Sequence, residues 1–160
     1  YRVQERIRFD GHAELGAKMA AGIMGRLRFS NEEIRTVTAL VADHLRFKDV
    51  KQMRESTLRR FLRQPYFEEL LELHRLDCVA SHGLLDNYEF VRAKRAELPA
   101  ARLRPPRLLT GHDLIRAGYT PGPGFAEMLR AVEDAQLESR VATPDDAMRL
   151  VRETFGPPVE

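Results

Sequence analysis

Five histidines and the carboxylates near them are the first residues to ask for chemistry. A metal-dependent phosphohydrolase of the HD type needs a histidine, then an adjacent His-Asp on a later helix, then further histidine or aspartate ligands, because several side chains must converge on one or two ions. His112–Asp113 has those letters, but no histidine follows, and Thr110 three residues before Asp113 makes the pair the first turn of a capped helix. His12 with Asp43 and His44 is the second candidate. These residues begin and end consecutive helices, but the order is Asp-His and the upstream His-Asp helix is missing, so no metal ligands are assigned. The third candidate is 74-HRLDCVASHG-83, where His74, Asp77 and Cys78 share a face and His82 lies farther along. One stripe on one helix offers at most three ligands, and we read it as a packed helix with buried polar contacts. No Gly-rich loop follows a strand, and no Ser-His-Asp or Cys-His order has supporting context, so the chain alone is a poor enzyme candidate.

The basic residues carry a stronger signal. Arg46, Lys48, Lys51, Arg54, Arg59, Arg60 and Arg63 stand against only Asp49 and Glu55 over residues 46–63. Such a patch suits a phosphate backbone, whose affinity comes from Lys and Arg displacing condensed counterions. Phe47 and Phe61 lie among these cations, but Phe61 falls where core residues do. A second phosphate candidate is 120-TPGPG-124: a tight turn with Gly122 and Gly124 ahead of a helix N-terminus can present backbone N–H groups to an anion, and helix-to-helix turn chemistry explains it equally well.

The elements that position these residues are helical. Residues 1–9 alternate Tyr1, Val3, Ile7 and Phe9, an extended lead-in interrupted by Glu5. From Asp10 on, Leu15, Met19, Ile23 and Leu27 recur every four residues on one face. Ser30 and Glu33 form a capping box for a second helix with a buried stripe of Ile34, Val37, Leu40, Val41 and Leu45. A polar connection over 46–56 leads to a short helix at 57–64. Pro65 then suits the first turn of a helix whose wide apolar face holds Phe67, Leu70, Leu71, Leu73, Leu76, Val79 and Ala80, stopped by Gly83. A further helix runs from Asp86 to Leu98. Three prolines in 97-ELPAARLRPPR-107 mark an extended linker. Helices at 110–118, 123–139 and 144–155 follow, the last with Thr143 as cap and Pro144 in its first turn.

We therefore expect an all-α helical bundle over 1–96, the linker over 97–107 and a small helix-turn-helix-like tail over 108–160. The 160 residues, 43% of them hydrophobic, can build a core. No apolar run reaches the roughly 20 residues that a membrane helix needs, and residues 1–10 lack the apolar core of a secretory signal. The single cysteine, Cys78, cannot form an internal disulfide and fits a reducing compartment, so the cytoplasm is the expected location. The first residue is Tyr1 rather than Met, from which we expect a fragment of a longer protein.

The segments 9-FDGHAELGA-17, 27-LRFSNEEI-34, 39-ALVADHLRF-47, 58-LRRFLRQPYFEELLELHRLDCVASHGLLDNYEF-90 and 108-LLTGHDLIRAGYTPGPGFAEMLRAVEDAQLE-138 resemble, in order, the C-terminal half of bacterial tRNA nucleotidyltransferases, the CCA-adding enzymes and related poly(A) polymerases. The resemblance covers nearly the whole chain. It implies a parent enzyme that adds nucleotides from CTP and ATP to tRNA 3′ ends using Mg²⁺. The head with its Gly-Ser pair and paired aspartates, and the nucleotide-selecting neck, have no counterpart here. By the same resemblance, His12 matches a histidine of an HD-related region, Asp43–His44 matches its later Val-x-x-His position, and the region's His-Asp doublet is missing. The implied partners are tRNA and the head and neck in cis, with self-association of the first two helices' apolar faces as a further expectation. The competing readings are a fragment of an HD-type phosphohydrolase and a helical interaction module with no role in RNA binding.

Overall fold

Helical spacing and local caps account for most of the backbone. The computed structural model describes residues 2–3, 6–7 and 11–158. Among them lie helices α1 (His12–Arg26), α2 (Asn31–Asp43), α3 (Glu55–Leu62), α4 (Phe67–Ser81), α5 (Asp86–Glu97), α6 (Ala100–Leu103), α7 (Gly111–Arg116), α8 (Gly124–Leu137) and α9 (Pro144–Phe155). A two-residue antiparallel pair precedes them, β1 (Arg2–Val3) against β2 (Arg6–Ile7). That pair is too short to form a layer, and the protein is an all-α helical bundle. The alternation read at Tyr1, Glu5 and Phe9 lies outside the described residues.

Contacts divide the chain into two compact units, Tyr1–Gln52 with Gln64–Lys94, and Met53–Arg63 with Arg95–Glu160. In the first unit α1 packs along α2, and α2 along α4. The Ser30 hydroxyl caps α2 by accepting from the Glu33 amide at 3.2 Å, while the Glu33 carboxylate accepts from the Ser30 amide at 2.8 Å. The stripe expected to be buried on α2 is only half-buried at Ile34, Val37, Leu40 and Val41, and Leu45 is exposed. Leu45 falls beyond α2, in a 3₁₀ turn over His44–Asp49, where the residue pattern predicts a polar connection from residue 46. Tightening to three residues per turn takes Leu45 off the α2 stripe and sends Phe47 inward. Helix α4 buries Phe67, Leu70, Leu71 and Cys78 but exposes Leu73, Leu76 and Val79, so its apolar surface is wider than the face it buries. It ends at Gly83, whose φ of 72° lets its amide reach back to the Cys78 carbonyl at 2.7 Å.

The second unit is built on α8. Helices α3, α7 and α9 all pack against it. Its core joins Leu109, Leu114, Tyr119, Val132, Ala147 and Val151, each nearly or fully removed from solvent. Helix α9 starts as its sequence dictates, with the Thr143 hydroxyl accepting from the Asp146 amide at 3.2 Å and Pro144 in the first turn. Two features of this unit are long-range. Residues 53–63, adjacent in sequence to the first unit, belong to this one: α3 buries Leu58, Phe61 and Leu62 and sets Arg60 and Arg63 against carboxylates of α8. The proline-rich stretch holds a helical turn, α6, whose Leu103 is buried where α6 meets α3.

Candidate nucleic-acid interface

The basic segment is sorted by its neighbours. On α3 the guanidiniums face acidic residues of α8. Arg60 donates to Glu133 from Nε at 3.0 Å and from Nη2 at 2.7 Å, and from Nη1 to Asp134. Arg63 donates to the other Glu133 oxygen at 2.6 Å, and Arg54 to Glu138 at 3.0 Å. Ser56, buried on the same helix, donates to Glu138 at 2.8 Å. Arg59 is folded down on Glu55 at 2.7 Å with only 12% of its side chain exposed. Burial raises the carboxyls of Glu133 and Asp134, but the arginine hydrogen bonds outweigh it and hold both below their ordinary values. Of these four arginines only Arg54, 68% exposed, keeps its head in solvent.

Arg46 pairs with Asp43 at 3.4 Å. Lys48 and Lys51, on the same loop and turn, have no carboxylate within ion-pair distance among the described residues. They line a cavity of about 440 Å³ together with His44, His74, Asp77 and His82. In the second unit Arg107 and Arg130 are exposed and no ion pair holds either of them among the described residues; with Leu109, Leu129, Glu133 and Gln136 they line a groove of about 550 Å³. Arg107 and Arg130 lie more than 40 residues beyond the basic run; Arg107 follows Arg102 and Arg104 in the proline-rich stretch and Arg130 stands between Glu127 and Glu133, so neither belongs to a run of cations like that over 46–63.

At 120-TPGPG-124 the amides at the start of α8 turn inward: Phe125 donates to the Gly122 carbonyl at 3.1 Å and Ala126 to the Pro123 carbonyl at 3.3 Å. A Cβ on Gly122 or Gly124 would meet nothing within 4 Å, so the glycines serve the turn and leave no tight cradle. Asp113 is occupied as a cap. It accepts from the Thr110 amide at 2.8 Å and the Thr110 hydroxyl at 2.6 Å and pairs with Arg116, and these bonds, Thr110 first, hold its carboxyl down at about 2.

The histidine candidates are partly gathered. The rings of His12 and His44 meet edge to face, 5.4 Å between centroids. Asp43 does not join them as a third ligand, because its carboxylate accepts from Tyr66 at 2.9 Å and Gln64 at 3.1 Å as well as from Arg46. Burial, followed by the Asp43 bond, pushes the Tyr66 phenol up to about 12. His44 donates Nδ1–H to the Val41 carbonyl at 2.6 Å. His74 stacks face to face on Phe47 at 4.1 Å, and burial lowers its pKa, favouring the neutral ring. Among the described residues no three His, Cys, Asp or Glu side chains converge where an ion would sit, so the donor set does not fit a Mg²⁺ or HD-type centre.

A family model described as tRNA nucleotidyltransferase domain 2 matches residues 12–151. The chain belongs to that family. It is 31% identical over 157 residues to an A-adding tRNA nucleotidyltransferase of Deinococcus radiodurans, covering 90% of this chain and 35% of that relative. It is 33% identical over 145 residues to a CC-adding tRNA nucleotidyltransferase of Thermus thermophilus, covering 89% and 33%. A shorter stretch of 49 residues is 43% identical to an A-adding tRNA nucleotidyltransferase of Halalkalibacterium halodurans, covering 31% and 12%. The chain thus spans about a third of the length of the first two relatives. No solved structure matches. Among the described residues no helix is long and apolar enough to cross a membrane.

Proposed function

We propose that this region holds tRNA for a tRNA nucleotidyltransferase and positions the 3′ end for addition of nucleotides by a catalytic head elsewhere in a longer protein. Relatives named for A addition and for CC addition match it at comparable identity over the same large share of the chain. The shared region therefore serves what the two activities have in common, which is tRNA, rather than the choice of nucleotide. CTP or ATP and Mg²⁺ belong, on this reading, to the head, and the cytoplasm is the compartment that fits.

The observation that carries the reading is the sorting of cations. Lys48, Lys51, Arg107 and Arg130 line concave surfaces with no ion-pair partner among the described residues, while Arg60 and Arg63 are engaged by α8. Arg54, Arg46 and Arg59 stand between these groups, with Arg54 the most reachable by a phosphate. We expect tRNA binding that weakens steeply with salt. Lys48→Ala with Lys51→Ala lowers the slope of log K against log salt by ~0.7–0.9 per lysine lost, and Arg107→Ala with Arg130→Ala does the same in the other unit. Arg59→Ala leaves the slope where it was. Binding that ignores salt, or that ignores both double variants, rules the reading out.

A second expectation concerns α1. Leu15, Met19, Ile23 and Leu27 are 44–65% exposed along one stripe of that helix. The stripe supports self-association of the isolated chain, which Met19→Asp with Ile23→Asp reverses. Sedimentation of the unmodified chain as a clean monomer at high concentration contradicts this.

A further inference from the structure

The cavity around Lys48 in the first unit holds an arrangement that phosphate contact alone does not explain. Two lysines, Lys48 and Lys51, and two aspartates, Asp77 and Asp86, line it together, and among the described residues no ion pair joins any of the four to another of them or to a further Lys, Arg, Asp or Glu, although the Asp77 charge acts on His74 beside it. Opposite charges that share a concave wall without pairing are matched by a ligand that carries both kinds of complement. At about 440 Å³ the space is larger than a phosphate fills and lies within the range of ~300–1,000 Å³ typical of small-molecule sites.

Two imidazoles in the lining have their tautomers set by the backbone. The Nδ1 of His82 accepts from the Leu84 amide at 3.0 Å, so in the neutral ring Nε2 carries the proton and donates. The Nδ1 of His44 donates to the Val41 carbonyl at 2.6 Å, so in the neutral ring its Nε2 is the acceptor. Leu45 and Leu84, 46% and 64% exposed, add apolar surface to the same wall. The lining therefore offers cations for an anion, an excess of acceptors for N–H groups and two leucines for a flat apolar face.

We propose that this cavity seats one nucleotide unit, with its phosphate at Lys48 and Lys51, its base against Leu45 and Leu84, and an amino-bearing base edge turned toward Asp77, Asp86 and Nε2 of His44. The proposal deepens the tRNA-holding reading by giving that surface a seat for a single unstacked nucleotide. An acceptor-rich wall favours cytosine, whose position 4 donates, over uracil, whose position 4 accepts.

The test is an amide NMR titration of the whole 160-residue chain with cytidine 5′-monophosphate, uridine 5′-monophosphate, cytidine, inorganic phosphate and a short single-stranded RNA. Cytidine monophosphate is expected to shift residues 44–51 and 77–87 saturably and to bind about tenfold more tightly than each of the other three small molecules. Lys48→Ala with Lys51→Ala brings cytidine monophosphate down to the level of cytidine. Asp77→Asn with Asp86→Asn removes the preference for cytidine monophosphate over uridine monophosphate while inorganic phosphate binds at least as well as before, since two negative charges leave the wall. Shifts of the same residues by the RNA place the nucleotide within a strand, and shifts by the monophosphate alone make the cavity a free-nucleotide site; both uphold the seat. Inorganic phosphate binding as tightly as the nucleotide overturns it, as does absence of shifts at these residues with every ligand. Failure of tRNA to bind while cytidine monophosphate binds removes the tRNA-holding reading and leaves the seat intact. Loss of tRNA affinity in the lysine variant without any nucleotide shift does the opposite.

Discussion

Phe47→Ala is expected to destabilise the first unit by about 3–5 kcal/mol, the cost of removing a buried phenyl ring from a packed interior. The ring is fully buried and lies flat on His74, 2° from parallel. It reaches that position because the 3₁₀ turn over His44–Asp49 sends Phe47 and Val50 inward while Lys48 stays at the surface. Truncation opens a void beneath the turn and frees His74, whose burial currently favours its neutral form. The measurement is chemical denaturation of the whole chain, read as a drop in midpoint with little change in slope. Phe47→Leu, which keeps most of the volume, costs less than about 1.5 kcal/mol. The same pair separates packing from RNA stacking. If Phe47 contacted a base, the leucine variant would lose affinity while keeping stability, whereas a wall of the core keeps both.

What could be read from the sequence follows the range of the forces involved. Ser30 with Glu33 and Thr110 with Asp113 are three residues apart, and these pairs, like Thr143 before Pro144, mark helix starts that the structure contains. Gly83 likewise ends α4 through its own positive φ. The fate of the arginines was not local. Arg60 and Glu133 are 73 positions apart, so a run of cations that resembles a phosphate surface in one dimension becomes, on α3, the partner of an acidic helix. Periodicity also identified the apolar face of α1 but not its covering, and Leu15, Met19, Ile23 and Leu27 lie open to solvent. The cavity of the first unit draws on residues from the 3₁₀ turn, the end of α4 and the start of α5; its lysines and the His74–Asp77–His82 stripe stand out in the sequence, while Asp86, on another helix, does not. Charge patterns report composition along the chain, and only packing decides which charges neutralise each other.

Arg60→Ala follows from that neutralisation and is expected to cost about 2–3 kcal/mol. Breaking a buried ion pair costs ~3–5 kcal/mol, and the figure is discounted because solvent still reaches 23% of the Arg60 and 37% of the Glu133 side chain. The variant leaves Asp134 without its arginine and Glu133 with Arg63 alone, so the second unit bears the loss. For a chain of this size the melting temperature falls by roughly 5–10 °C. A pH series checks the same network. Glu133 and Asp134 have folded-state pKa values below the ordinary 4.5 and 3.8, so the unfolded chain binds protons first as the solution is acidified. Their contribution is complete above the ordinary carboxylate range and is lost as pH falls through the lower folded values. The unmodified chain should therefore hold its melting temperature from pH 7 to about 5 and drop below about 4.5. Glu133→Gln keeps the side chain's length but removes its titration, and should start lower and fall less steeply. If Arg60→Ala leaves the melting temperature unchanged and reduces the salt slope of tRNA binding instead, the guanidinium serves phosphate and its bonds to α8 contribute little to the fold.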